Sequence, residues 1–405
     1  MPSYNNYKYS SRQHTSTFKN RNRNTHFGGN NKRRRMGQYI DPSRYVKVAS
    51  PVEISDYDAV NKFADFAVEP LLKYNLISKG YVDPTPIQDQ TIPQALTGRD
   101  VIGIASTGTG KTAAFAVPIL NKIIKNRTAN KALIVAPTRE LAQQTEDEFR
   151  SIGKGSGLTA ALLIGGTPMG PQLRDLSTHP SIVIGTPGRI KDHIERGTLK
   201  LANFNIVVLD EVDRMLDMGF INDVRDILSQ LSPSRQSMFF SATLDEKIKS
   251  LISTFSNDPI LISLKGSETS ENVHQDVVRF SGETDKLEKL HNILIRGDVE
   301  KSIIFSETQR STEKLSKNLI ERGFKADAIH GGKSQGQRQR ALNRFKKNEI
   351  NILVATDVAA RGIDVVDISH VINFEQPQSY DDYIHRIGRT GRAGRVGYAL
   401  TFINT

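Results

Sequence analysis

The run Ala105-Ser106-Thr107-Gly108-Thr109-Gly110-Lys111-Thr112 places small residues, one lysine and a terminal hydroxyl directly before an amphipathic stretch. Small residues let backbone N–H groups curl around a phosphate at a helix N-terminus, where the dipole favours anions. In such a loop Lys111 reaches the β- and γ-phosphates of a nucleotide and Thr112 holds Mg²⁺. The first position of the general pattern, usually glycine, is Ala105 here. About 100 residues later, the apolar run Ile206-Val207-Val208-Leu209 ends in Asp210-Glu211-Val212-Asp213. Carboxylates at the C-terminal end of a buried strand lie beside such a loop, because ligands of open α/β sheets bind outside the carboxyl ends of the strands. Asp210 can hold the metal through water, while Glu211 can orient and polarise an attacking water. The two elements specify a nucleoside triphosphatase and leave its purpose open.

These residues require a sheet that presents them. Short apolar runs at 100–104, 132–136, 160–164, 181–184, 206–209 and 237–240 read as strands. Between them, 111–125, 139–152, 218–231 and 245–255 carry helical periodicity. Buried strands alternating with helices predict a doubly wound parallel sheet covered on both faces. The polar stretch 264–272 reads as a linker, after which strands are expected near 302–305, 326–329, 351–355, 369–373 and 397–403. The expected organisation is a tail over 1–55, an α/β domain over 56–263, a linker over 264–272 and a second α/β domain over 273–405. The chain stops at its last expected strand, so no C-terminal accessory domain is expected.

Composition limits the classes further. The 405 residues carry 55 Lys and Arg against 44 Asp and Glu. Residues 1–50 hold eleven of those basic side chains and one acid, Asp41, so the rest of the chain is nearly neutral. That segment lacks apolar periodicity and scatters aromatics among its cations, which predicts disorder. It reads as an arm for single-stranded nucleic acid, through charge and stacking, or as a solubilising tail. Lys32 to Arg35 also fit a nuclear import signal. The absence of cysteine excludes disulfides, thiolate metal sites and cysteine nucleophiles. No apolar run is long enough to span a bilayer, and no signal-peptide core is present, so a cytosolic or nuclear protein without membrane partners is expected.

Further motifs occur in a fixed order. Phe63 lies seventeen residues before the segment Gly80-Tyr81-Val82-Asp83-Pro84-Thr85-Pro86-Ile87-Gln88. After the phosphate loop come Pro137-Thr138-Arg139-Glu140-Leu141-Ala142, Gly165-Gly166, Thr186-Pro187-Gly188-Arg189, then the carboxylates and Ser241-Ala242-Thr243. The second half holds Ile303-Ile304-Phe305 with Thr308, Gln335 and Arg338, then Ala355-Thr356-Asp357-Val358-Ala359-Ala360-Arg361-Gly362-Ile363-Asp364. It closes with His385-Arg386-Ile387-Gly388-Arg389-Thr390-Gly391-Arg392. Taken singly, most of these are helix caps or solvated arginines. As an ordered set over residues 60–405, the chain resembles the DEAD-box RNA helicase family, with Val212 where the name-giving motif has alanine.

The resemblance implies two tandem RecA-like domains and an ATP-dependent RNA helicase using ATP and Mg²⁺. It implies that Lys111, Asp210, Glu211, Arg389 and Arg392 are catalytic, the two arginines reaching the γ-phosphate from the second domain. Tyr81, Gln88, Ser106, Thr107, Gly108, Thr109, Gly110, Lys111, Thr112 and Asp364 would bind the nucleotide. Tyr81 would stack on the base, Gln88 would read adenine through a paired donor and acceptor, and Asp364 would meet the ribose. Thr112 and Asp210 would hold the metal. Pro137, Thr138, Arg139, Gly165, Gly166, Thr186, Pro187, Gly188, Arg189, Thr356 and Arg361 would bind RNA through its backbone, without sequence preference. Ser241, Ala242, Thr243, Asp213 and His385 would couple hydrolysis to strand separation. RNA, single-stranded or in short duplexes, is thus the expected partner, alongside protein or ribonucleoprotein partners. An ATP-gated RNA clamp or assembly platform with little unwinding remains an alternative, and a DNA translocase would share only the phosphate loop.

Overall fold

The computed structural model describes residues 40–50, 57–106, 108–264, 271–360, 365, 367–392 and 395–405. Its first half runs in chain order through α1 (Pro70–Ser78), α2 (Pro86–Leu96), β1 (Val101–Ile104), α3 (Lys111–Lys125), β2 (Ala132–Val135), α4 (Arg139–Ile152), β3 (Ala160–Leu163) and α5 (Met169–Ser177). It continues with β4 (Ile182–Gly185), α6 (Pro187–Glu195), β5 (Ile206–Leu209), α7 (Val212–Asp217), α8 (Ile221–Ser229), β6 (Gln236–Ser241), α9 (Glu246–Phe255) and β7 (Ile260–Ser263). The second half contains β8 (Val273–Phe280), α10 (Gly282–Leu294), β9 (Ser302–Phe305), α11 (Gln309–Glu321), β10 (Ala326–Ile329) and α12 (Gln335–Lys346). There follow β11 (Ile352–Ala355), α13 (Asp357–Ala360), β12 (His370–Asn373), α14 (Tyr380–Ile387) and β13 (Gly397–Asn404).

Among the described residues, the pairings between β1 and β13 inclusive are all parallel. The first sheet has the order β3-β4-β2-β5-β6-β1-β7 and the second β10-β11-β9-β12-β13-β8. Central strands such as β2, β5 and β11 are buried along their whole length, which is why they read as unbroken apolar runs. Successive side chains of a strand point to opposite faces. Phe240 of β6 accordingly packs with Phe115 and Phe149 in one apolar layer, and Phe239 packs with Ile227 and Leu251 in the other. Both sheets belong to one compact unit.

Three features depart from expectation. The helical pattern over 218–231 is realised as the shorter α8, while α7 precedes it unanticipated; the two are separated at Gly219, whose φ of +81° is the left-handed region that glycine enters freely. The edge strands β7 and β8 escaped notice because their outer faces are polar or exposed, as suits a sheet edge. The disorder expected over 1–55 is also corrected in part. Residues 1–39 and 51–56 lie outside the described residues, but 40–50 are ordered, with a 3₁₀ turn at Pro42–Tyr45 and a buried Ile40 and Tyr45. The reason is that these two apolar side chains find partners on the second sheet's helical layer, which charge and composition alone could not reveal.

Candidate functional site

The phosphate loop joins β1 to α3. Its shape depends on Gly108 and Gly110, at φ +84° and +92°. A Cβ on Gly110 would stand 2.3 Å from Nε2 of Gln88, so any larger residue both strains the backbone and displaces that glutamine. Gln88, on α2, supports the loop from behind: its Nε2 donates to the carbonyl of Gly110 (3.1 Å) and its Oε1 accepts from the Thr85 amide (2.9 Å). Thr85 also donates its hydroxyl to the carbonyl of Thr109 (2.8 Å). The Lys111 ammonium folds onto the loop, donating to the carbonyls of Ala105 (2.7 Å) and Ser106 (3.3 Å). Tyr81 sits edge-on to Phe63, with centroids 5.0 Å apart, and its hydroxyl donates to Glu148 (2.9 Å).

Asp210 and Glu211 follow β5 and are 2% and 4% exposed. Oδ1 of Asp210 is a buried oxygen without a hydrogen-bond donor. Burial drives the Asp210 carboxyl up to about 7, against the pull of Lys111. A buried carboxylate in that condition, next to a phosphate loop ending in Thr112, fits a hard divalent cation that takes few protein ligands and completes its shell with phosphate and water. Burial also opposes charge on Glu211, but Arg214, Lys111, Arg389 and His385 outweigh it and hold that carboxyl below its ordinary range. Glu211 has φ +54°, a left-handed conformation rare outside glycine and concentrated where function demands it. Its nearest cation is Arg214, one turn along at 3.3 Å and 2% exposed.

Ser241, at the end of β6, connects these parts. Its carbonyl accepts from the Ala105 amide (3.0 Å), and its Oγ accepts from the Asp213 amide (3.3 Å). The Asp213 carboxylate in turn accepts from the Ala242 amide (3.2 Å). The phosphate loop, the acidic motif and Ser241-Ala242-Thr243 are therefore one hydrogen-bonded unit.

The second sheet supplies cations to the same place. Arg386 of α14 is 3% exposed and grips Asp357 with two bonds of 2.6 and 2.7 Å, fixing the helix whose end carries Arg389 and Arg392. Arg389 and His385 line a small cleft with Arg214 of the first sheet. The Arg392 guanidinium lies about 3.5 Å from where a Cβ of Gly108 would be, directly over the phosphate loop.

A second groove, of about 540 Å³, is lined by Pro137, Thr138, Arg139, Gly165, Thr186, Gly188 and Arg189 from the first half, and by Gly331, Arg338 and Val358 from the second. Thr138 caps α4 by accepting from Leu141 N (3.3 Å). Gly166, at φ +75°, brings its backbone so close to Arg139 that a Cβ there would lie 2.1 Å from Nη1. Burial, and then the neighbouring guanidiniums of Arg338 and Arg189, disfavour the charge on Arg139, with Glu140 opposing them. Beneath the groove, Glu140 of α4 pairs with Arg338 of α12 at 2.8 Å. Thr356 is buried at the end of β11, where its amide donates to Ile329 O (3.3 Å). Thr107, Arg361 and Asp364 lie outside the described residues.

Sequence reasoning thus named most of what converges here and overlooked three members. Arg214 lies one helical turn past Glu211, a spacing that permits the pair but reads equally as a solvated arginine. Glu140 and Asp357 stand inside recognised segments, yet nothing local announces Arg338 and Arg386 as their partners.

Residues 85–251 match the DEAD/DEAH box helicase family, and residues 285–394 match the helicase conserved C-terminal domain. An ATP-dependent RNA helicase CshA from Limosilactobacillus reuteri is 43% identical over 343 residues, 84% of this chain and 69% of that protein. A DEAD-box ATP-dependent RNA helicase CshA from Bacillus subtilis is 44% identical over 342 residues, again 84% and 69%. Among solved structures, a DEAD box protein from Methanococcus jannaschii is 40% identical, with 85% of this chain and 93% of that one aligned at a TM-score of 0.50. Dbp5 of S. cerevisiae bound to RNA and ADP BeF3 is 29% identical, with 85% and 89% aligned at a TM-score of 0.74.

Proposed function

Because the chain belongs to the DEAD-box ATP-dependent RNA helicases, we propose that it hydrolyses ATP in the cleft between its two sheets to separate RNA strands locally along the Arg139 groove. The observation that carries this reading is the setting of Glu211. Its neighbours are Lys111 and Arg214 from its own domain and Arg389 and His385 from the other, so the hydrolytic constellation is complete only with both domains present. The superposition points the same way: the chain matches the less identical, RNA- and nucleotide-bound relative better than a more identical one.

In this mechanism Glu211, held ionised, orients water for attack and accepts its proton. Lys111, Arg389 and Arg392 meet the charge that develops on the phosphoryl oxygens, and a single such arginine typically contributes about 10³ to 10⁵ in rate. Magnesium held by Thr112 and Asp210 would neutralise charge on the β- and γ-phosphates. Pro137, Thr138, Arg139, Gly165, Gly166, Thr186, Pro187, Gly188 and Arg189, with Thr356 and Arg361, receive the RNA backbone. Contacts of that kind carry no base information, so no sequence preference is expected. The Ser241 and Asp213 network links the state of the cleft to the RNA face. RNA and ATP must then each tighten the binding of the other by the same factor.

The test is steady-state ATP hydrolysis with and without single-stranded RNA, for the wild type and Glu211→Gln, together with release of a strand from a short duplex. RNA-stimulated turnover that the variant loses, with strand release, supports the reading. Tight ATP-dependent RNA binding with little turnover favours the clamp, and equal stimulation by DNA defeats the choice of substrate.

A further inference from the structure

The ordered segment 40–50 precedes the first sheet in sequence, yet among the described residues it is held by the second domain and by Glu271 just before it. Asp41 caps the 3₁₀ turn, its carboxylate accepting from Ser43 N at 2.9 Å. Lys47 and Gln275 exchange backbone hydrogen bonds of 3.0 and 2.8 Å, which add an antiparallel bridge to the open edge of β8, and Ser50 N donates to Glu271 O (3.0 Å). The segment is a strap, seated on the second domain's outer edge.

What it covers is α14. That helix presents Tyr380, Tyr383, Ile384 and Ile387, at the i, i+3, i+4, i+7 spacing of one apolar stripe. Ile40 and Tyr45 of the strap complete the cluster around this stripe. The Tyr45 ring meets Tyr383 edge-on at 4.7 Å, and the Arg44 guanidinium lies 3.7 Å over the ring of Tyr380. Tyr383 donates its hydroxyl to the side chain of Gln275 (2.9 Å), the residue whose backbone pairs with Lys47. Edge-on aromatic pairs and cation–π contacts add attraction beyond the area they bury.

Helix α14 is therefore clamped twice. Asp357 grips Arg386 on one side, and the strap holds the stripe on the other. The clamped helix runs straight into Gly388, and Arg389 and Arg392 follow within five residues. A separate anchorage lies on the first domain. Where the chain reaches the first domain, Tyr57, Val60 and Asn61 all donate to the carboxylate of Asp89, the neighbour of Gln88 on α2.

We propose that the strap positions the arginine-bearing end of α14, with Tyr45 as a positioning residue for Arg389 and Arg392. This rests on the role proposed above for those arginines. Deleting the Tyr45 ring removes the strap's aromatic contact with Tyr383 and weakens the clamp on that side, which lets the C-terminal end of α14 shift. A displacement of about 1 Å at a catalytic group can cost about 100-fold, so partial loss of the clamp is expected to lower kcat by about tenfold. Tyr45 touches neither ligand, so KM for ATP should stay within about twofold. The Tyr45 hydroxyl is buried without a hydrogen-bond partner, so it contributes ring rather than polar contact.

The experiment measures RNA-stimulated ATP hydrolysis by the full chain as wild type, Tyr45→Ala and Tyr45→Phe, with amide hydrogen exchange of residues 380–387 in each. The expected result is a kcat loss in Tyr45→Ala without a KM change, faster exchange in α14, and recovery of both in Tyr45→Phe. Unchanged kcat in Tyr45→Ala overturns the proposal, whether or not exchange rises. A kcat loss with unaltered α14 exchange, or one that Tyr45→Phe fails to recover, also overturns it. A wild type without RNA-stimulated hydrolysis defeats instead the functional reading on which the strap's role depends, and the exchange data then stand as the separate record of docking.

Discussion

Glu140 on α4 and Arg338 on α12 form an ion pair of 2.8 Å in which the side chains are 1% and 7% exposed, although one belongs to the first sheet's layer and the other to the second's. Gln335 adds a longer contact to the same carboxylate at 3.4 Å. Each partner reaches burial only where the two halves meet. Removing one partner of a buried pair strands the other, which typically costs about 3 to 5 kcal/mol. Here the stranded group can escape that cost if the halves separate. The penalty should therefore fall on closing the cleft rather than on folding either half. Arg338→Met is expected to raise the RNA concentration for half-maximal ATPase stimulation by at least about tenfold, while thermal unfolding stays close to wild type. An unchanged RNA requirement would sink this account.

Arg214 stands 3.3 Å from Glu211 and is itself buried. Without it, the remaining cations must oppose the burial that disfavours the Glu211 charge, and the carboxylate loses the group that fixes its orientation. Arg214→Gln is expected to lower RNA-stimulated kcat by about 10- to 100-fold with little change in nucleotide affinity, since the side chain faces the carboxylate rather than the phosphate loop. Arg214→Lys should recover part of the loss, because it restores charge without the planar fork. Equal losses in both variants would point to packing alone.

These two arginines mark where sequence reading stops. The phosphate loop and the Asp210 and Glu211 pair were legible because their chemistry is local: small residues, a lysine and carboxylates at fixed spacing around a strand end. The central strands were legible because burial on both faces leaves no polar interruption. Glu140 and Arg338 are far apart in sequence, and each has a plausible solvated existence on its own helix. Ile40 and Tyr45 were overlooked for a related reason. They sit at the end of a basic, aperiodic stretch, and their apolar partner is the stripe on α14, which only the tertiary fold brings to them. The edge strands β7 and β8 were missed because one exposed face dilutes their pattern.

Gly166 offers a test of the groove. A Cβ at this position would lie 2.1 Å from Nη1 of Arg139 and would have to be carried at φ +75°. Gly166→Ala should drive the guanidinium out of the groove and weaken RNA binding by about 10- to 100-fold, the range for a lost charge-assisted contact. The slope of log affinity against log salt should flatten by about 0.7 for each phosphate contact removed. Arg139→Gln is expected to do the same, and the double variant to be no worse than either single one, because both changes delete one interaction. Additive losses in the RNA affinity of the double variant would refute the shared contact.

His370 gives the second domain a pH dependence unrelated to catalysis. It is 1% exposed on β12, its ring is stacked on Tyr398 with centroids 4.9 Å apart, and Nδ1 lies 3.0 Å from the Ser369 hydroxyl. Burial pushes its pKa down to about 4, with Asp298 opposing. In the unfolded chain an imidazole titrates near about 6.5, so between these values the unfolded state binds more protons than the native one. Stability from the neutral ring is therefore complete above about pH 6.5 and declines as pH falls toward about 4. From pH 7 to pH 5 the loss is about 2 kcal/mol, or roughly 4 to 8 °C in Tm for a domain of this size. His370→Phe keeps the stack and removes the titration, so its Tm should fall less than that of the wild type over the same interval. His193, also depressed by burial but seated on α6, is untouched by that change and leaves a residual acid sensitivity in the first domain. Identical pH profiles for the wild type and His370→Phe would show that this ring is not what acid attacks.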